Sequence, residues 1–309
     1  MKIYGAILAI CAIPSSSAFV VQAPAFKAST SLYSAPSYIG VMNENTEPKT
    51  TTSPALSANS PTWKERMGAE QSNGVLKSAK EIWDASSPIT IQGGSLRTCS
   101  FDESVNRVQV LLKTEGRPLT SNVELWQGPD NTPQQINVYI EDGSYRPFRA
   151  VIETPGGSNA VCIRNTGNME FPMAACVDGE VENSGTSPSV LLESKDKGRI
   201  VQGGAVHTTP FNANVQSVQI LLKTDGRPMN ARIELLQGPN NNKQVMEVYV
   251  EDGQTRPFYA VIETPGTGNV VRIVNTSTVE YPLNTSIEPY IIDDTIVAEA
   301  TPQGMVWSN

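Results

Sequence analysis

Histidine is almost missing from this chain: His207 is the one imidazole in 309 residues. A Ser-His-Asp or Cys-His set cannot be built around it without special pleading, and no Gly-rich phosphate loop follows a strand. Basic residues are also short, 23 Lys and Arg against 31 Asp and Glu for a net charge of −8. Nucleic acid needs clustered cations to neutralise its phosphates, so it is excluded as a partner. The apolar run from Tyr4 to Ile13 is too short to span a bilayer. Four cysteines are present. Cys11 lies in the leader, which leaves Cys99, Cys162 and Cys176, an odd number without Cys-x-x-Cys spacing. Free thiols are expected, with a pairing of two of the three as the alternative, and neither zinc nor any other cofactor.

What the chain has instead is a duplication. Gln92-Gly93-Gly94 through Phe171-Pro172 returns without a gap as Gln202-Gly203-Gly204 through Tyr281-Pro282. The two stretches share about 44 identities over about 81 positions. A catalytic site rarely needs two copies, whereas a scaffold presenting like surfaces in two directions often does. With 39% apolar residues, the length suits two domains of about 100 residues each.

Inside each copy the apolar period is two. Ile136, Val138 and Ile140 alternate with Asn137, Tyr139 and Glu141, and Met246, Val248 and Val250 with Glu247, Tyr249 and Glu251, as half-buried strands do. Similar runs occur at Val105 to Lys113, Val123 to Gln127, Phe148 to Thr154 and Val161 to Asn165. Turn signals separate them: Gly116-Arg117-Pro118, Gly128-Pro129-Asp130-Asn131, Asp142-Gly143 and Pro155-Gly156-Gly157. The fold class is therefore all-β, two tandem homologous antiparallel β-sandwich domains with internal pseudo-two-fold symmetry. Asp-Gly between alternating strands reads as a tight hairpin turn in preference to a metal site.

The organisation along the chain follows. Residues 1–18 form a signal peptide, with Lys2 before the apolar run and cleavage after Ala18. Residues 19–62 combine a Ser/Ala-rich, acid-poor transit segment with a disordered linker. Loss of the leader with Lys2 and Lys27 would take the charge to about −10. Residues 63–89 are a helical lead-in, where Val75, Leu76, Ala79, Ile82 and Trp83 recur at helical spacing behind Ser72 or Asn73. Repeat 1 spans 90–180, a linker 181–199, repeat 2 200–290 and a C-terminal tail 291–309.

Differences between the copies mark candidate surfaces. Trp126 becomes Leu236, Arg149 becomes Tyr259, and Cys162 and Arg164 become Arg272 and Val274, while Val161 and Ile163 are matched by Val271 and Ile273. The core stays and one face is re-specified. Such outward residues serve either as an interface or as scattered surface apolars. Arg117 and Arg227, and Arg146 and Arg256, each precede a proline that biases them to extended backbone. Two roles stand: internal pairs with Glu124/Glu234 or Glu153/Glu263, or contacts between molecules. The tail carries apolar anchors at Ile291, Ile292, Val306 and Trp307. It either docks on a neighbouring molecule, adding a strand, or folds back. The expected assembly residues are thus Arg117, Trp126, Arg146, Arg227, Arg256, Ile291, Ile292, Val306 and Trp307.

The long phrases from Leu111 and Leu221 (Leu-Leu-Lys-Thr-Glu/Asp-Gly-Arg-Pro), from Glu124 and Glu234 (Glu-Leu-Trp/Leu-Gln-Gly-Pro) and from Arg146 and Arg256 (Arg-Pro-Phe-x-Ala-Val-Ile-Glu-Thr-Pro-Gly) resemble the pyrenoid shell proteins of diatoms. The leader, a signal peptide joined to a transit-like segment starting at Phe19, is similar to the bipartite plastid leaders of such algae; plain secretion is the other reading. The resemblance covers residues 75 to 309. It implies a non-enzymatic plastid protein at the pyrenoid periphery that tiles with itself into a two-dimensional lattice around the Rubisco matrix and supports carbon fixation. Paralogous shell proteins and the Rubisco matrix are the implied partners, and neither cofactor nor catalytic residue comes with it. A carbohydrate-binding or adhesion module is the rival reading, weakened by aromatics at 6% and by an unmatched Trp126. An enzyme is third, since no carboxylate pair can be located.

Overall fold

The computed structural model describes residues 79–181, 186–238 and 241–293, all within one compact unit, Pro54–Asn309. The expected leader, disordered linker and most of the tail lie outside the described residues.

Each copy contributes eight strands. The first has β1 (Ile89–Ile91), β2 (Leu96–Phe101), β3 (Val105–Lys113), β4 (Leu119–Gln127), β5 (Asn131–Ile140), β6 (Phe148–Glu153), β7 (Asn159–Asn165) and β8 (Met173–Val181). The second has β9 (Arg199–Val201), β10 (Val206–Pro210), β11 (Val215–Lys223), β12 (Met229–Gln237), β13 (Asn242–Val250), β14 (Phe258–Glu263), β15 (Asn269–Asn275) and β16 (Leu283–Ile292). One sheet runs β1-β8-β3-β6-β14-β11-β16-β9 and the other β10-β15-β12-β13-β5-β4-β7-β2, every pairing antiparallel. Within a copy the orders are 1-8-3-6 and 2-7-4-5, the arrangement of a double-sheet jelly roll. The all-β sandwich expected from alternation is what the chain forms.

The copies join more intimately than neighbouring domains. Strand β6 pairs with β14 and β5 with β13, so both sheets cross the junction. In the first seam Ala150 faces Ala260, flanked by Arg149 opposite Val261 and Val151 opposite Tyr259. In the second, Asn137 faces Glu247, with Gln134 opposite Val250 and Ile140 opposite Gln244. Equivalent residues therefore face each other at the centre of each seam, and the approximate two-fold axis passes between them. One apolar cluster fills the space between the sheets from end to end, including Phe148, Ile136 and Val110 of the first copy and Phe258, Met246 and Ile220 of the second.

Asp142-Gly143 proves to be a turn of another kind. Strand β5 belongs to one sheet and β6 to the other, so the segment carries the chain across the sandwich and is not a hairpin. Asp142 Oδ1 accepts hydrogen bonds from Ser144 N (2.8 Å) and Ser144 Oγ (2.7 Å), an Asx turn that suits either connection. Among the described residues, β4 with β5 and, in the second copy, β12 with β13 are the sequential hairpins within one sheet; the turn of the first has Gly128 at φ 70°.

Two helices lie on the outside of the first sheet. Helix α1 (Ala79–Ala85) covers part of the expected lead-in, and Ala79 and Ile82 pack on Leu111 and Cys176. Helix α2 (Pro188–Lys195) falls where a plain linker was expected, with Leu192 packed on Leu221, Tyr259 and Val261. Residues 79 and 189 stand 110 positions apart, as the strands do, so α2 is the second copy's own lead-in.

Candidate functional site

Four of the candidate residues are arginines, and the structure divides them into two pairs. Arg146 and Arg256 are buried and hold the seam: Arg146 Nη2 donates to Gln237 Oε1 (2.9 Å) and Arg256 Nη2 to Gln127 Oε1 (2.7 Å). Each arginine reaches the other copy, reciprocally, as the two-fold requires. Lys243 of the second copy adds an ion pair to Glu141 of the first (2.5 Å). Three of the glutamates expected as partners act elsewhere. Glu124 accepts Trp126 Nε1 (2.8 Å), Glu153 accepts Ser187 Oγ (2.6 Å), and Glu234 is clamped by Arg232 and Arg272.

Arg117 and Arg227 are exposed and local. Arg117 Nη1 donates to Glu170 O (3.4 Å) and Arg227 Nη1 to Glu280 O (2.7 Å), with each guanidinium near an aromatic ring, Phe171 or Tyr281. They brace the loops between β7 and β8 and between β15 and β16. Trp126 is half-buried on the outer face of the second sheet. Ile291 and Ile292 are the last residues of β16, opposite Ser217 and Val215 of β11, so the second copy's sheet reaches into the stretch expected as tail. Val306 and Trp307 lie outside the described residues.

The sheet faces differ in kind. Outside the first sheet, the two helices and a polar group specific to the first copy cover the surface. Arg107 Nε contacts Glu180 Oε2 at 2.6 Å, both side chains being buried, and Gln109 Nε2 donates to Glu180 Oε1 (2.9 Å). The second copy places Ser217 and Tyr290 at the corresponding positions. Burial pushes the Glu153 carboxyl above its usual range, against the lowering pull of Ser187 and Arg107. Outside the second sheet, Tyr139 and Tyr249 stand exposed on either side of the axis. A groove of about 370 Å³ runs between Asn137, Arg232, Glu247 and Tyr249.

The sulfurs are protected. Cys99, Cys162 and Cys176 are free. Burial raises all three thiols, Cys176 to about 11 beneath α1, so thiolate chemistry at neutral pH is suppressed there. His207 sits on β10 with Thr209 Oγ1 3.2 Å from Nε2. Burial and Arg199 lower its pKa. Among the described residues no three His, Cys, Asp or Glu side chains cluster as metal ligands, and no helix is long and apolar enough to cross a membrane.

The fold and its surfaces define a duplicated jelly-roll block, joined across its own two-fold, whose features of interest are edges, faces and loop tips. The family model described as "Diatom pyrenoid shell protein" matches residues 83–289, which is more than half of the chain. The chain belongs to that family, and its role is a structural one at the pyrenoid of the chloroplast. No curated protein matches it. Among solved structures it is similar to the PBSX exported protein XepA, with 9% identity and a TM-score of 0.23 over 65% of this chain and 85% of that one. It is also similar to vicilin from Solanum lycopersicum, with 12% identity and a TM-score of 0.17 over 62% and 76%. Procruciferin, an 11S globulin from Brassica napus, gives 9% identity and a TM-score of 0.20 over 65% and 76%.

Proposed function

We propose that this chain is a self-assembling building block, without catalytic activity, that forms a sheet-like shell around the Rubisco matrix in the chloroplast stroma and so supports CO2 concentration and carbon fixation. The observation that carries the reading is the symmetric seam: this sandwich already extends by strand pairing at β5–β13 and β6–β14. The outer ends repeat the opportunity. Short edge strands β1 and β9 close the first sheet, and β2 and β10 close the second. Ends related by an internal two-fold suit growth from both sides, since an association that does not close on itself continues. Its partners are then further copies of the chain, with paralogous shell proteins and the Rubisco matrix against the faces.

The tail following Asp293 is the element we assign to a neighbouring molecule, through Val306 and Trp307. Deletion of residues 302–309 is expected to stop growth of the array while leaving the melting transition of the soluble protein unchanged. Pelleting assays beside thermal melts check this, and normal assembly of the truncated chain would refute tail docking.

A second reading has one observation in its favour. Tyr139 and Tyr249 beside the polar groove of the second sheet have the chemistry of a sugar-binding face, on which aromatic rings stack on pyranose rings. Retention on a glycan array, lost in Tyr139→Ala and Tyr249→Ala, would favour a carbohydrate-binding module over a shell.

A further inference from the structure

The loops between β7 and β8 and between β15 and β16 are fastened in the same way and expose the same kind of side chain. In the first, Asn165 Nδ2 donates to Ile91 O (3.0 Å) and Phe171 O (2.8 Å), and its Oδ1 accepts Gly167 N (2.9 Å). In the second, Asn275 Nδ2 donates to Val201 O (3.0 Å) and Tyr281 O (2.8 Å), and Oδ1 accepts Ser277 N (3.0 Å). Gly93 and Gly203 press against the loop backbones. A Cβ there would stand 1.9 Å from Asn168 O and 1.8 Å from Thr278 O, so only glycine permits the contact. With the bracing arginines, each loop is a rigid mount. At the two tips stand Met169, 82% exposed, and Val279, 72% exposed.

A lone exposed apolar residue is ordinary. Here a large apolar side chain recurs at one position of two rigid loops whose neighbouring variable positions, Gly167/Ser277 and Asn168/Thr278, are small or polar. Water gives no reason for that pattern, and a second surface does.

A receptor of matching kind lies beside each tip. A groove of about 290 Å³ runs along β1 and the turn after β3, between Thr90, Lys113, Glu115 and Ala174. Its equivalent in the second copy is larger, about 620 Å³, between Ile200, Lys223, Asp225 and Asn284. Ile200 on its rim is 66% exposed. Each flank of the block thus carries one tip and one groove, and the two flanks differ in size in a complementary sense. The larger tip is on the first copy, and the larger groove is on the second.

We propose that the first-copy flank of one molecule packs on the second-copy flank of the next, with Met169 in the groove lined by Ile200 and Lys223 and Val279 in the groove lined by Thr90 and Lys113. The occupant is a second copy of this chain. Lys223 Nζ already holds Glu193 at 2.7 Å, so the match is one of size and apolar surface, with Ile200 and Pro282 in one groove and Pro172 and Ala174 in the other. A contact between unlike flanks is head-to-tail, and where its rotation does not close a ring it generates a row. This rests on the self-assembly proposed above and names one of its interfaces.

The test uses the full chain and its Met169→Asp and Val279→Asp variants, with the concentration needed for pelletable assembly as the readout. Both sites are exposed loop tips, and circular dichroism verifies the fold. At least a tenfold rise in that concentration is expected for each variant, and more for the double variant. A second measurement mixes chains carrying Met169→Cys with chains carrying Ile200→Cys, in a Cys99→Ser background, under mild oxidant. The intermolecular disulfide is expected for this mixture, and much less for Met169→Cys with Thr90→Cys. A wild type that assembles, with variants that assemble equally well and no selective cross-link, overturns this contact and leaves the self-assembly reading intact. A wild type that stays monomeric overturns both.

Discussion

A fragment limited to residues 79–181 is expected to form a homodimer at micromolar concentration. In the intact chain β5 and β6 are the strands that continue into the second copy, so a lone first copy presents both as open edges with unpaired backbone groups. The seam is symmetric in register, with Asn137 opposite its counterpart Glu247 and Ala150 opposite Ala260. The same pairing therefore remains available to two identical fragments, with Asn137 facing Asn137 and Ala150 facing Ala150. Arg146 of one fragment would then reach Gln127 of the other, as Arg256 reaches Gln127 here. Analytical ultracentrifugation decides the matter. A stable monomer with a sharp melt would mean that the fused sheets are dispensable to each copy.

Glu180→Ala is expected to destabilise the full chain by about 3–5 kcal/mol, the usual cost of leaving one member of a buried ion pair alone. Glu180 is held by Arg107 at 2.6 Å and by Gln109 at 2.9 Å, on a face from which water is excluded. The carboxyl of Glu153 lies within electrostatic reach of Arg107, which places the effect towards the lower end of that range. The second copy builds the same position from Ser217 and Tyr290. The double variant Arg107→Ser with Glu180→Tyr is therefore expected to lose less stability than Glu180→Ala, because the cation is removed along with its anion. Urea unfolding of the three proteins gives the comparison. Equal losses for the single and double variants would show that the ion pair is not what the site depends on.

Much of the fold was legible because alternation is a local property. Val108, Val110 and Leu112 point into the core and Arg107, Gln109 and Leu111 outward, as a period of two demands. What strand pairs with what is decided at longer range. An edge strand and a central strand have the same alternation, so nothing in Gln134 to Ile140 distinguishes a free edge from the seam to β13. The Asx turn at Asp142 has the same chemistry in a hairpin as in a crossing between sheets, so the sequence does not tell the two connections apart. The inward residues of helix α2, Pro188, Ser189 and Leu192, make too weak a stripe to mark a helix in the sequence. Its alignment with α1 rests on little more than Leu192 in place of Ile82.

The candidate surface was legible in part. Duplication singled out four arginines, yet direction is what separates the buried pair Arg146 and Arg256 from the exposed pair Arg117 and Arg227. That depends on the path of the chain after Asp142 and Asp252. In sequence, the change from Met169 to Val279 between two apolar residues is indistinguishable from drift within a core. Only exposure identifies them as tips. A rule that compares the chemical class retained at otherwise variable loop positions would have found both.

Electron microscopy of the purified full chain at rising concentration tests the central claim most directly. A block joined across its own two-fold, with two like ends left open, should give planar or tubular arrays. Particles that remain single and dispersed at the highest soluble concentration would contradict it.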